Sequence, residues 1–244
     1  MTGKSIYDQN IGPWFLEHAG DLEKKLLIGR RERAADLESA VRVFLELLRG
    51  FESLDVDHPS VTVFGSARFT EDHPYYDLAR AMGKRLAKAG YTVMTGGGPG
   101  IMEAANRGAK EGGGVSIGVN IELPHEQDPN PYLDRFVEFD HFFVRKLMLI
   151  KYSCAFIVMP GGFGTLDEVF ETATLMQTGK IQHFPIILMG REFWHELDDF
   201  IRRSLIPQGT ISKKDLDLFK QTDDPHEAVT IVDAFRRRQE EDSR

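Results

Sequence analysis

The sequence predicts an α/β protein built on a doubly wound parallel sheet. Six short apolar runs recur along the chain from residue 60 onward, and segments with helical periodicity separate most of them. Strands that are apolar along their whole length are covered on both faces, as the strands of parallel sheets are. Alternation of such strands with helices therefore indicates a central sheet between two helical layers.

The individual elements follow from these runs. The predicted strands are, in chain order, 61–65, 91–96, 115–121, 136–139, 154–160 and 184–190, with a shorter candidate for a seventh at 218–221. The predicted helices are 74–90, 101–110, 142–151, 166–176 and 193–205. A last helix is expected to begin at Pro225, with Asp224 as its N-cap, because these residue types favour those two positions.

Residues 1–57 form a different region, rich in Leu, Glu and Arg and poor in β-branched residues. We expect a helical extension here and the α/β domain at 58–244. Five apolar residues step by four and three and so share one helical stripe: Leu37, Val41, Phe44, Leu48 and Phe51. The stripe either packs the helix onto the core or serves oligomerisation or substrate covering, and the pattern is compatible with both.

Composition excludes several classes of function. The chain has 244 residues and a net charge of −8, so it lacks the positive footprint of a protein that binds nucleic-acid polymers. Its apolar runs are strand-sized and therefore too short to span a bilayer, and its first ten residues contain no apolar core of a secretion signal. One cysteine excludes a disulfide framework, and the eight histidines show no metal-binding spacing. We expect a cytoplasmic protein that uses no membrane, metal or cofactor.

Three predicted strand ends carry unusual loops. In an open parallel sheet, ligands bind beyond the carboxyl ends of the strands, near the point where the strand order reverses. The loops are Gly65-Ser66-Ala67-Arg68, Gly96-Gly97-Gly98-Pro99-Gly100 and Pro160-Gly161-Gly162-Phe163-Gly164-Thr165. They will be called the serine loop, the first glycine loop and the second glycine loop.

The two glycine loops lead directly into predicted helices. Glycines allow a ligand close to the backbone, and a helix N-terminus favours an anion such as phosphate. Thr165 either caps its helix or binds a phosphate oxygen. The loops fit neither the G-x-G-x-x-G dinucleotide pattern nor the G-x-x-x-x-G-K-[ST] phosphate loop. A phosphate-bearing ligand other than a dinucleotide or ATP is therefore expected.

Charged residues near these loops are candidates for chemistry. Glu168 and Glu171 lie three residues apart and are expected to share a helix face, whereas Asp167 points elsewhere into solvent. Arg145 and Lys146 interrupt an otherwise apolar helix. Such a pair is either a surface feature or a source of positive charge at the strand ends, where Arg145 can bind a phosphate or a carboxylate such as that of Glu168.

The glycine loops together resemble the paired signatures of the "lonely guy" (LOG) family, long mislabelled as lysine decarboxylases. P-G-G-F-G-T-L-D-E at 160–168 matches every defined position of the family pattern P-G-G-x-G-T-x-x-E, and G-G-G-P-G-I-M at 96–102 resembles the pattern G-G-G-x-x-G-x-M with one residue fewer before its last glycine. The resemblance covers about residues 60–205. It implies a Rossmann-like fold and a phosphoribohydrolase, which cleaves the N-glycosidic bond of AMP or of a cytokinin riboside monophosphate and releases ribose 5-phosphate.

The resemblance also implies roles for particular residues. Glu168 and Arg145 match the catalytic glutamate and arginine of the family. Residues expected to bind substrate or phosphate are Ser66, Arg68, Gly97, Gly98, Gly100, Lys146, Gly161, Gly162, Gly164 and Thr165. Met102, Glu103 and Glu171 are further candidates. The resemblance also implies a homo-oligomer. The N-terminal extension resembles that of longer family members, some of which assemble beyond dimers.

Two other functions remain open at this point. A non-catalytic carrier of a nucleotide or of a molybdopterin-type cofactor needs the glycine loops but has no use for Glu168 and Arg145. A pyridoxal-phosphate decarboxylase needs a lysine for a Schiff base, and nothing in the sequence singles out Lys146 for that role. The combination of Glu168 with Arg145 favours the hydrolase.

Overall fold

The structure, a computed structural model, describes residues 22–122 and 128–242. Within these ranges, seven strands form one parallel sheet in the order β4-β3-β2-β1-β5-β6-β7. They are β1 Ser60–Phe64, β2 Thr92–Thr95, β3 Ser116–Ile121, β4 Arg135–Phe139, β5 Ser153–Val158, β6 Ile186–Leu188 and β7 Phe219–Gln221. The predicted sheet, including its seventh strand, is confirmed.

Helices precede the sheet and connect its strands. They are α1 Leu22–Leu27, α2 Arg33–Ser53, α3 Pro74–Lys88, α4 Ile101–Glu111, α5 Phe142–Lys151, α6 Phe163–Gln177, α7 Arg191–Phe200 and α8 Pro225–Asp242. A π-helical turn, Ile201–Leu205, continues α7, and a 3-10 helix, Lys213–Leu218, precedes β7. Asp224 Oδ1 accepts the His226 N–H at 2.8 Å, so the expected cap of α8 is confirmed.

Each face of the sheet is covered by its own group of helices. Val63 and Ile157 point to one side, where α3, α4 and α8 complete a buried core. Phe64 and Phe156 alternate to the other side and pack with residues of α5, α6 and α7. The alternation along β1 and β5 is the period of two that strands impose on side chains.

The strand order reverses between β1 and β5, and this reversal brings two of the loops together. Phe64 pairs with Val158 at the last position of both strands. Beyond them, the Ser66 N–H donates to the Pro160 carbonyl at 3.0 Å, and the Ile101 N–H donates to the Ser66 carbonyl at 3.1 Å. The serine loop is thus bonded both to the second glycine loop and to the start of α4.

Helix α6 begins earlier than its apolar pattern predicts. It starts at Phe163 rather than at residue 166, and Gly162 is its N-cap with no side-chain hydrogen bond. Two of the three added positions, Phe163 and Gly164, are exposed and carry no amphipathic signal. Because Thr165 lies inside the helix, the alternative that it caps the helix is wrong, and its binding of a phosphate oxygen stays a prediction.

The apolar stripe of α2 faces away from the core. Its five members, from Leu37 to Phe51, are between 39% and 58% exposed, so the interpretation that they pack the helix onto the core is wrong. The opposite side of α2 packs instead, with Val43 and Leu47 against the core and Gly50 so close to Met148 that a Cβ would lie 2.6 Å from it. The division of the chain at residue 57 stays a prediction.

The described part of the chain has neither a membrane-spanning helix nor a metal-binding cluster of side chains. Residues 22–122 and 128–242 include no helix long and apolar enough to cross a membrane. The same part of the chain contains no group of three or more His, Cys, Asp or Glu arranged to hold a metal ion.

Candidate active site

A cleft of about 600 Å³ opens at the carboxyl ends of the strands, where the strand order reverses. It is lined by the serine loop with Phe64, by the start of α6 with its N-cap, and by four residues from other elements. The lining residues are 64–68, Gly96, Met102, Phe142, Arg145 and 162–168. This is where ligands bind in open α/β sheets.

Arg145 and Glu168 meet in this cleft. Arg145 lies in the first turn of α5 and Glu168 in the second turn of α6, and their Nη1 and Oε1 atoms are 3.4 Å apart. The Arg145 Nε–H also donates to the Val119 carbonyl of β3 at 2.9 Å, which fixes the guanidinium against the sheet. The structure therefore brings together the two residues for which the resemblance implies catalysis.

The environment of Glu168 changes its acidity. The side chain is 3% exposed, and its Oε2 atom has no hydrogen-bond partner. Burial raises the pKa of Glu168 to about 7, although the charge of Arg145 acts in the opposite direction. Burial also disfavours the charged form of Arg145, and so it lowers the pKa of that residue. The cleft thus contains a carboxyl group that exchanges its proton near neutral pH, as a group for acid–base work should.

The second glycine loop is open to the cleft. Gly162 and Gly164 are exposed, and a Cβ added at either would meet nothing within 4 Å. Phe163 between them is 92% exposed. Because no side chain caps α6, its first N–H groups remain available to an anion. Gly161 differs, since a Cβ there would lie 2.1 Å from Thr165 Oγ1.

The first glycine loop is closed. Gly97 and Gly98 are buried, and their carbonyls accept hydrogen bonds from Asn130 Nδ2 at 3.0 and 3.1 Å. The Gly97 N–H donates to Thr95 Oγ1 at 2.9 Å. Asn106 completes this network by accepting from Asn130 and Thr95. The loop is part of the scaffold, and its Gly96 is the member that lines the cleft.

The other candidates from the sequence divide between the cleft and its surroundings. Ser66, Arg68 and Met102 line the cleft, and Ser66 Oγ accepts the Arg68 N–H at 3.1 Å. Glu103 instead accepts from the Tyr76 hydroxyl at 3.0 Å. Gly100 is buried at the N-cap of α4. Neither Glu103 nor Gly100 is among the cleft-lining residues.

Lys146 and Glu171 form an ion-pair group beside the cleft. Lys146 Nζ lies 2.7 Å from Glu171 Oε2 and 2.9 Å from Asp167 Oδ2. Glu171 therefore contacts Lys146, whereas Glu168 contacts Arg145, so the two glutamates do not act on one group. Asp167 is exposed as expected but shares Lys146 with Glu171, because residues four apart on a helix lie on one face.

Sequence reasoning missed several residues that the cleft or its scaffold uses. Asn106 carried a signal, since a polar residue on the buried face of an otherwise Ala-rich helix calls for partners. Asn130 follows no periodic element and carried none. Phe142 and Phe163 look like ordinary helix or loop residues in the sequence, although both line the cleft.

Comparison with known proteins identifies relatives. A family model described as "Possible lysine decarboxylase" matches residues 102–232, more than half of the chain. The cytokinin riboside 5′-monophosphate phosphoribohydrolase LOG of Oryza sativa subsp. japonica is 33% identical over 126 residues, which cover 50% of this chain and 51% of that protein. The protein of Rhodococcoides fascians with the same enzyme name is 30% identical over 152 residues, covering 60% of this chain and 76% of that one. The match thus spans about half the length of the rice relative.

Solved structures share the fold. A structural-genomics target solved by X-ray crystallography superposes with a TM-score of 0.56 at 28% identity, covering 72% of this chain and 99% of that chain. A molybdenum cofactor binding protein from Rippkaea orientalis superposes with a TM-score of 0.55 at 22% identity, covering 74% and 98%. At that identity the second similarity shows the fold alone. Because the family model matches more than half of the chain and the second glycine loop has the full family signature, the chain belongs to the LOG family of lysine-decarboxylase-like Rossmann-type proteins.

Proposed function

We propose that this protein is a nucleoside 5′-monophosphate phosphoribohydrolase, which hydrolyses the N-glycosidic bond of AMP or of a cytokinin riboside monophosphate. The observation that carries the proposal is the contact of Arg145 with a buried Glu168 in a cleft beside the uncapped start of α6. The names of the rice and Rhodococcoides fascians relatives supply the reaction class.

The substrate phosphate binds at the start of α6 in this proposal. The first N–H groups of α6 and the side chain of Arg68 provide positive charge there, and Gly162 and Gly164 leave room for the phosphate oxygens. The start of α5 is not available in the same way. Its N–H groups already donate to carboxylates, that of His141 to Glu46 and that of Phe142 to Glu23.

Glu168 in its ionised form carries the chemical step. Glycosidic cleavage develops positive charge on the ribose ring, which a nearby carboxylate stabilises. Glu168 accepts a proton from water as the water oxygen bonds to C1′ of the ribose. The bond between C1′ and the base nitrogen breaks, and the base leaves with that electron pair and takes up a proton from solvent, while Glu168 releases to solvent the proton that it took from water. Arg145 keeps the Glu168 carboxylate in position, and phosphate binding supplies energy remote from the bond that breaks.

Incubation with AMP and separation of the products tests this proposal. Wild-type protein should release free adenine and ribose 5-phosphate in equal amounts. Glu168→Gln should lower kcat by at least a thousandfold or so and leave AMP binding largely intact, because the amide keeps the shape but cannot take a proton. Glu171→Gln, three residues along the same helix, is the matched control and should retain turnover. Undiminished turnover by Glu168→Gln would refute the assignment.

The same experiment distinguishes the other two functions. Binding of intact AMP without release of adenine by the wild type would favour a carrier. A decarboxylase would show a visible absorption band of a lysine–pyridoxal adduct. The ion pairs of Lys146 argue against that adduct: burial lowers the pKa of Lys146, but Glu171 and Asp167 outweigh burial and raise it, so the amine stays protonated.

We further propose that the protein is a homo-oligomer whose copies meet through the apolar stripe of α2. Six large apolar side chains are exposed on this one helix, Leu45 in addition to the five already named. The five residues of the stripe step alternately by four and three, which matches the seam of paired helices. Light scattering should give a mass of at least twice the monomer's 27.6 kDa, and a mass of 27.6 kDa would contradict the proposal. The cytoplasmic location stays a prediction.

A further inference from the structure

The start of α5, which carries Arg145, is held by carboxylates of the two N-terminal helices, α1 and α2. Glu46 of α2 accepts the backbone N–H of Asp140 at 2.6 Å and that of His141 at 3.1 Å on its Oε1 atom. Its Oε2 atom contacts the His141 ring at Nδ1. Glu23 of α1 accepts the Phe142 N–H at 3.2 Å. Three consecutive N–H groups at this helix start are therefore bound by the N-terminal helices.

Glu46 is an unusual residue for a helix that lies on the surface. It is 5% exposed, and His141, whose ring it contacts, is 1% exposed. Burying a carboxylate is costly unless hydrogen bonds or charges compensate for it. Here two backbone N–H groups and an imidazole do so, and the partial positive charge at a helix start adds to them. The position of Glu46 is thus tightly determined, and so is the part of α5 that it contacts.

The contact of Glu46 is one helical turn from the candidate catalytic residues. The Arg145 N–H donates to the His141 carbonyl at 3.1 Å, so His141 and Arg145 begin and end the same turn. The Arg145 guanidinium must span from the Val119 carbonyl at 2.9 Å to Glu168 at 3.4 Å. The second distance is already long for a hydrogen bond. A small shift of the first turn of α5 would therefore separate the guanidinium from Glu168.

We propose that Glu46 is a positioning residue for the reaction: it holds the first turn of α5 so that Arg145 stays on Glu168. The inference rests on the proposed hydrolase function. It gives the N-terminal region a role in the chemistry of the cleft, although Glu46 itself does not line the cleft. It also predicts that a change in α2 reaches the active site through backbone hydrogen bonds and not through contact with the substrate.

Steady-state kinetics with AMP tests the proposal on Glu46→Gln, which keeps the size of the side chain and removes its charge. We expect kcat to fall about tenfold to a hundredfold while KM changes less than about twofold, because the phosphate site at α6 is untouched. In an Arg145→Lys background, which lacks the forked guanidinium, Glu46→Gln should lower kcat less than about twofold further. Glu46→Ala is the stronger variant, and Glu46→Gln remains informative if the alanine variant does not fold.

Asp223→Asn is the matched control. Asp223 accepts the N–H groups of Gly190 and Arg191 at 2.6 and 3.1 Å and so holds the start of α7 as Glu46 holds that of α5. The two variants each replace a carboxylate that accepts consecutive backbone N–H groups, but only one of them adjoins Arg145. Asp223→Asn should leave kcat within about twofold of the wild type. Equal losses of kcat in the two variants, or full additivity of Glu46→Gln with Arg145→Lys, would overturn the proposal.

A titration that needs no turnover separates failure of this inference from failure of the proposed function. The charge of Arg145 acts to lower the pKa of Glu168, so displacement of Arg145 should raise it. Carbon-13 NMR of the Glu168 carboxyl should show a higher pKa in Glu46→Gln than in Asp223→Asn. An unchanged pKa would refute the positioning role, whether or not the wild type releases adenine. Absence of adenine from the wild type would refute the hydrolase proposal alone.

Discussion

The two glycine loops look alike in sequence and differ in what the structure does with them. In the first, the carbonyls of Gly97 and Gly98 are bound by Asn130, and both residues are buried. In the second, Gly162 and Gly164 face open space at the start of α6, which has no side-chain cap. Glycine serves close packing of backbone in the first loop and access for a ligand in the second. The two glycine-rich signatures of this family therefore reflect two different physical requirements.

The space around each glycine shows this difference, as the distances from a Cβ added at Gly100 and at Gly164 make clear. A Cβ at Gly100, at the end of the first loop, would lie 2.5 Å from the Ser66 carbonyl oxygen, and the residue has a φ of +70°. At Gly164 a Cβ would meet nothing within 4 Å. The same substitution at the two positions should thus affect stability in one case and ligand binding in the other.

Gly100→Ala should have the largest effect on stability. It combines a backbone conformation that L residues rarely adopt with a contact to backbone that cannot move aside. We expect a loss of at least about 3 kcal/mol in the free energy of unfolding, measured by urea denaturation. A loss below about 1 kcal/mol would show that the first loop is not the closed scaffold described above.

The pH dependence of stability tests the second region of the comparison through Glu168, which lies on α6, the helix that begins in the second glycine loop. The pKa of Glu168 is raised by burial from 4.5 to about 7, so the folded protein binds a proton more tightly than the unfolded chain does. This contribution to stability is fully present below about pH 4.5 and is lost as the pH rises through 7. At about 1.4 kcal/mol for each pKa unit, its size is about 3 kcal/mol.

The variant Glu168→Gln lacks this titration and is the reference for it. Relative to Glu168→Gln, the wild type should lose about 3 kcal/mol of unfolding free energy between pH 4.5 and pH 8. Urea denaturation of both proteins across this range measures the difference. A difference that is constant with pH would mean that the pKa of Glu168 is not raised.

Gly164→Ala should have the smallest effect on stability. The position is in the first turn of α6 and has room for a methyl group, so the free energy of unfolding should change by less than about 1 kcal/mol. Binding should respond instead, because the methyl group occupies space that the substrate phosphate uses in our proposal. We expect KM for AMP to rise about tenfold or more, and an unchanged KM would place the phosphate elsewhere.

Much of the fold could be predicted because the strands are continuous apolar runs and the helices between them are periodic. The limits of α5, residues 142–151, agree with the sequence pattern. The start of α6 could not be predicted, since Phe163 and Gly164 are exposed and give no periodic signal. The orientation of the α2 stripe could not be predicted either, because apolar residues at helical spacing do not show whether their side of the helix packs against the core or against another molecule.

The candidate site was predictable in part for a related reason. Arg145 and Glu168 were found because charged residues beside apolar or glycine-rich segments stand out, and the family signature names them. Their contact depends on how α5 and α6 sit on the sheet, and no local pattern contains that information. The roles of Asn130 and Glu46 arise from residues that are distant in the chain, such as Gly97 and His141, and become visible in three dimensions.

A single-turnover experiment tests the central claim, that Glu168 in the open cleft carries out hydrolysis of a bound nucleotide. Wild-type protein and Glu168→Gln are each mixed with AMP, with the protein in molar excess over AMP. The reactions are quenched at a series of times, and the products are separated. We predict that the wild type converts all bound AMP to adenine and ribose 5-phosphate, whereas Glu168→Gln binds AMP and returns it intact. Conversion at the same rate by both proteins, or intact AMP from both, would contradict it.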